Sequence, residues 1–162
     1  MKVSDYFAEL FVAGRVADAG WNVYFPHRDQ GFDFIIMKRV PSGELLIRPV
    51  QVKGKYPTED KGDQQLYGYV GKLELHPEMV LAIPFFSKSA EQIPAFTAYM
   101  PMKTIKPHQS RGYRCQPVRF KDGEPQIRGD HRIFFDEEGM RNLESPLFRD
   151  LQVHASAAGE DV

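Results

Sequence analysis

Gly31-Phe32-Asp33-Phe34-Ile35-Ile36-Met37-Lys38 and, a few residues on, Leu45-Leu46-Ile47-Arg48-Pro49-Val50-Gln51-Val52-Lys53 are the runs whose reading decides the fold. Val40-Pro41-Ser42-Gly43 between them has the composition of a turn, so the pair reads as a β-hairpin. The first strand, Phe32 to Met37, is apolar on both faces except for Asp33. Such a strand is buried between layers, and a carboxylate at its head needs a partner or a metal. On the second strand, alternation puts Gln51 and Lys53 on one face, about 7 Å apart, and turns Val50 and Val52 into the core. An acid on one strand then faces an amide and an ammonium on the next. That setting can hold a divalent cation and polarise a water.

Upstream, Ser4 or Asp5 can cap a helix running to about Ala19, with Gly20 as its stop. Phe7, Leu10, Phe11, Gly14 and Ala17 make one core-facing stripe at helical spacing. Glu9, Val12, Ala13 and Val16 make a second. A glutamate leading an apolar stripe is costly unless it is paired or bound to metal. At the stripe's edge it can also reach solvent or pair with Arg15. Trp21 to Phe25 reads as a strand closed by Pro26, and His27-Arg28-Asp29-Gln30 as a polar loop leading into Asp33. Pro49 removes a ladder donor, which implies a bulge before Gln51 or a strand lying on a sheet edge there.

Downstream, Lys55 to Gly62 reads as a polar loop, and Asp63 as the cap of a helix over Gln64 to Glu74. Met79 to Phe85 is a continuous apolar run suited to a central strand, and Phe96 to Met100 a fifth strand. Tyr113 to Phe120 and Arg132 to Phe135 read as short strands, with a turn at Asp122-Gly123. Asp136-Glu137-Glu138 fits a helix N-terminus, where acids are favoured. Residues 151–162, rich in Ala, Ser and Gly, read as a mobile tail after a single domain over 1–150.

Composition narrows the classes. At 162 residues and 42% hydrophobic, the chain can bury one core, and no apolar run approaches a membrane span. One cysteine, Cys115, excludes an internal disulfide and fits a reducing cytoplasm. Five histidines never take a His-x-x-x-His spacing, which argues against a histidine zinc site. The net charge of −1 conceals a division: residues 101–132 hold eight Lys and Arg against three acids, whereas residues 133–162 hold two against seven. The basic segment reads either as a phosphate-binding surface or as a solvated face balancing the acidic C-terminal part.

Gly31-x-Asp33 followed by Gln51-Val52-Lys53 resembles the PD-(D/E)XK nuclease superfamily in its Gln-x-Lys variant. It is most similar to the Holliday-junction-resolvase-like and homing-endonuclease-like members. The resemblance covers roughly residues 4–85: a helix with a glutamate, three strands, a helix, then a fourth strand. It departs from most members in having Gln51 where they have Asp or Glu, and Phe32 where the motif has Pro. Gln65 and Tyr69 faintly resemble the Gln-x-x-x-Tyr motif of the RecB-like nucleases. The resemblance implies an α/β fold of restriction-endonuclease-like type, a central mixed β-sheet flanked by helices. It implies metal-dependent hydrolysis of phosphodiester bonds, with DNA as the expected polymer and a homodimer as a plausible assembly. Glu9, Asp33 and the carbonyl oxygen of Gln51 or its neighbour would hold Mg²⁺, or Mn²⁺, and Lys53 would orient the attacking water. His27, Arg28 and Lys55 would touch nucleic acid near the site, and Lys103, Lys106, Arg111, Arg114 and Arg119 farther along. A nucleic-acid-binding module that kept the fold and lost the chemistry stays open because of Gln51. So does a scaffold protein with a buried Asp33–Lys53 ion pair.

Overall fold

The hairpin forms around its turn. A computed structural model describes residues 3–56, 65–87, 90–122 and 124–153. Helix α1 (Val3–Asp18) leads, followed by β1 (Asn22–Tyr24), the hairpin strands β2 (Phe34–Arg39) and β3 (Leu45–Val52), then β4 (Leu66–Gly71) and β5 (Val80–Ser87). After them come β6 (Ala90–Pro101), β7 (Lys106–His108), β8 (Gly112–Lys121), β9 (Glu124–Ile127) and the short helix α2 (Asp136–Asn142). In the hairpin, Phe34 lies opposite Val50 and Arg39 opposite Leu45. The Val40 N–H donates to the Glu44 carbonyl, and the Val40 carbonyl accepts from Gly43. Gly43 takes φ +89°, a left-handed backbone that glycine adopts without strain.

The first sheet has the order β1-β2-β3-β5-β6 and is mixed: β3 and β5 run parallel, and the other neighbours are antiparallel. Pro49 needs no bulge. It sits opposite Ile35 in an unbroken β2–β3 register, and pairing with β5 begins only at Val50. The missing N–H therefore falls where that side of β3 has no strand beside it, as in the edge reading.

Strand β5 explains its own composition. Val80, Ala82 and Phe86 enter one core with Ala8, Val12 and Val16 of α1, whereas Leu81, Ile83 and Phe85 enter a second core. The second core lies against another sheet, β4-β8-β7, with β9 also pairing with β8. The helices thus cover one face of the central sheet, and a sheet covers the other where the sequence reading had placed helices on both.

Three local expectations change. On α1 the buried stripe is Ala8, Val12, Ala13 and Val16, while Phe7 and Leu10 are exposed and Phe11 half-buried. Both stripes are apolar, but the small Ala8 fits close under Gly54, whereas Phe7 only leans on the Phe86 ring at 6.1 Å. The helix begins at Val3, so Asp5 lies in its first turn, and it ends where Gly20 turns at φ +94° and the Trp21 N–H reaches the Val16 carbonyl.

The helix expected over 64–74 is a strand over Leu66–Gly71 instead. Two glycines in this short run disfavour helix by about 1 kcal/mol each, and Tyr67, Tyr69 and Val70 favour strand. Any side chain at Gly68 would collide with the Cys115 carbonyl, so glycine is what lets β4 lie against β8. Asp63 and Gln64 lie outside the described residues.

The strand expected over 132–135 is a 3-10 turn, Gly129–Phe134, which buries His131 and Phe134. Those two residues are three apart and so share a face of a 3-10 turn. Phe135 keeps only a single bridge, to Ala98. The strand after Asp122 is β9, paired with β8 from Val118–Ile127 to Lys121–Glu124. Asp136-Glu137-Glu138 do open α2, and Asp136 accepts the Thr97 N–H at 2.9 Å. Leu151 and Val153 pack against the cores; the remainder of the expected tail, 154–162, lies outside the described residues.

Candidate functional site

Asp33 precedes β2 and extends its ladder by other means. Its N–H donates to the Val50 carbonyl at 2.9 Å, and its Oδ2 accepts the Val52 N–H at 2.6 Å. The hairpin register thus fixes the carboxylate against the residue between Gln51 and Lys53. In an extended residue, N–H and C=O leave the strand on the same side, so the Val52 carbonyl also faces the Asp33 edge.

Glu9 meets Asp33 from α1. The two carboxyl groups lie close enough to shift each other's ionisation. Partial burial, then the neighbouring Asp33, pushes the Glu9 carboxyl up to about 7. Asp33 is also raised, mainly by burial; the Val52 N–H, Glu9 and the Lys53 charge pull against that rise. This pair is an acidic site in which neutral pH decides the charge.

Lys53 follows β3. Its backbone N–H bonds to the Ala82 carbonyl at 2.9 Å, and its ammonium sits 5.3 Å from the centre of the Tyr69 ring. Its charge favours the ionised form of both carboxyls. Among the described residues no direct ion pair joins it to Asp33, so the arrangement expected of a scaffold protein does not form.

Gln51 is buried. Its amide nitrogen donates to the Glu74 carbonyl and approaches the Met79 sulfur at 4.0 Å. Only its amide oxygen is left for a ligand role. Glu74 itself packs against the backbone at Gly31, where an added Cβ would come within 2.7 Å of Glu74 Cβ. Gly31 has φ +83° and donates its N–H to Asp29 Oδ1, a turn that delivers Asp33 to β2.

The other candidates divide into groups. His27 and Arg28 are exposed in the loop before Gly31. Lys55 joins β5 by backbone bonds to Pro84 and Phe86, and its ammonium lies 5.7 Å from the Tyr67 ring. Lys103, Lys106, Arg114 and Arg119 surround one cavity on the second sheet. Arg111 sits at the β7–β8 turn and does not line it.

Sequence reasoning missed the Tyr69 contact with Lys53, because Tyr69 had been placed on a helix. It also missed Glu74, although the glycine at 31 hinted at a close approach. Among the described residues no group of three or more His, Cys, Asp or Glu side chains gathers, so the acidic pair stands with backbone and amide oxygens as its company. No helix among them is long and apolar enough to cross a membrane. Comparison with protein-family models, curated proteins and solved structures returns no match for this chain.

Proposed function

We propose that this α/β protein is a metal-dependent nuclease of restriction-endonuclease-like type that hydrolyses phosphodiester bonds in DNA. The observation that carries the reading is the close Glu9–Asp33 pair beside Lys53, assembled from a helix and a hairpin far apart in sequence. The element order supports it as well: a helix bearing the glutamate, three antiparallel strands, and a fourth strand parallel to the third. A strand, β4, stands where the family resemblance expects a helix.

Two carboxyls that repel each other when both are ionised suit a hard dication with oxygen ligands. Glu9, Asp33 and the Val52 carbonyl or Gln51 amide oxygen would hold Mg²⁺ or Mn²⁺. Such an ion would neutralise charge on the scissile phosphate and lower the pKa of a bound water. Asp33 is held in place by the Val52 N–H. Lys53 orients the attacking water and donates to the oxygen on which charge develops. Tyr69 confines that ammonium on one side.

The test is cleavage of supercoiled plasmid, four-way junction and single-stranded oligonucleotides with Mg²⁺ or Mn²⁺. Asp33→Ala and Lys53→Ala should each abolish cutting while circular dichroism and DNA retention stay unchanged. Gln51→Glu should keep or raise cutting at low Mg²⁺. Absence of cutting by the wild type and by Gln51→Glu, with DNA still retained, replaces this reading with that of a binding module. The bond from the Gln51 amide to the Glu74 carbonyl is the observation that favours that second reading, since it uses Gln51 as a brace.

A further inference from the structure

The second sheet carries a cavity of about 460 Å³ bordered by Lys103, Lys106, Arg114, Arg119 and Arg128. Asp130 is the single carboxylate among its lining residues, and it is engaged by His131 Nδ1 at 2.7 Å. The volume falls within the range of about 300–1,000 Å³ usual for small-ligand sites. Glu9 and Asp33 take no part in it.

Two further features point to an anion as the ligand this cavity would take. The β7–β8 register sets Lys106 directly opposite Arg114. Like charges in that position repel, and neither strand needs a cation there for pairing. The second feature is Arg119. Its Nε is buried without a hydrogen-bond partner among the described residues and is sealed from the cavity, so the terminal guanidinium nitrogens are what this side chain can bring to the wall. A guanidinium fork matches the oxygens of a phosphate.

We propose that this cavity binds a phosphate group, carried on the end of a nucleic-acid strand or on a free nucleotide. The inference stands independently of the nuclease reading. Arg119 supplies a guanidinium at the cavity wall, and an anion between Lys106 and Arg114 would relieve their repulsion.

The first measurement is thermal unfolding with and without inorganic phosphate. Phosphate also stabilises proteins generally through exclusion from their surface, so Arg119→Gln sets the background. Wild type should gain more than Arg119→Gln. Lys106→Gln should melt higher than wild type without phosphate and lose the extra gain with it. Arg114→Gln serves as the second variant if Arg119→Gln does not fold.

The second measurement is calorimetric titration with a 5′-phosphorylated oligonucleotide, its 5′-hydroxyl counterpart and a nucleoside monophosphate. A phosphorylated probe should bind at least about tenfold more tightly than the hydroxyl one, an advantage lost in Arg119→Gln. Tighter binding of the phosphorylated oligonucleotide assigns the site to strand ends; tighter binding of the monophosphate assigns it to a free nucleotide. Equal thermal gains in wild type and variants, with no preference for a 5′-phosphate, overturn the proposal.

Discussion

Glu9 is the side chain on which pH acts most directly. Its carboxyl is pushed from 4.5 to about 7 in the folded protein, so between those values the folded state binds a proton that the unfolded chain has released. Stability therefore falls as pH rises through that window. Without metal, the melting temperature should drop between about pH 5 and pH 7.5, and Glu9→Gln should flatten the drop. On the proposed reading Mg²⁺ would bind the ionised pair, so it should restore the loss above pH 7 and do little at pH 5. Melting curves at several pH values, with and without Mg²⁺, check both statements. Glu9 was legible as an anomaly because a carboxylate led an apolar stripe. Which stripe faced the core was not legible, since both were apolar and side-chain size under Gly54 decided it.

The β2–β3 hairpin could be read almost to the residue, because turn chemistry and alternation agree there. Strand β4 could not: its tyrosines and glycines acquire meaning only against β8, some fifty residues later. Gly31→Ala should show how closely the turn before Asp33 is set. It combines φ +83° with a collision against Glu74, so a loss of about 1–3 kcal/mol in urea unfolding is expected. Arg48, equally silent in the sequence, is a buried cation on β3. It donates to the Leu143 and Ser145 carbonyls, pairs with Glu78 at 2.9 Å, and lies over the Phe148 ring. Removing it as Arg48→Ala should cost about 3 kcal/mol, because the carbonyls and packing it serves are left without a replacement.

Because β5 belongs to both cores, the two halves of the molecule should unfold together. Each core contains one natural reporter. Trp21 is buried in the core under α1, and Cys115 in the core under the second sheet, where burial pushes its thiol up to about 12. Trp21 fluorescence and Cys115 alkylation should give the same urea midpoint; separated midpoints would show that the sheets unfold independently. If the basic segment lines a DNA surface, DNA retention should weaken by about 0.9 log units per log unit of salt for each phosphate neutralised. Reversing the charge of Lys103 and Lys106 should lower that slope, as gel-shift titrations at several salt concentrations would show. The mixed central sheet was expected from the family resemblance, with Met79 to Phe85 legible as its central strand from its continuous apolar run. The second sheet was not, because β7 and β9 are only three and four residues long and β4 was expected as a helix.

Arg48 also has a consequence for the order in which the chain is made. Every candidate ligand of the acidic site lies within the first 53 residues, yet the carbonyls that receive the Arg48 guanidinium arrive only with Leu143 and Ser145. A nascent chain emerging from the ribosome thus carries Glu9, Asp33 and Lys53 long before their supporting strand can settle. The site is encoded early and completed late, so a stop codon near residue 140 would leave its chemical groups present and their framework unfinished.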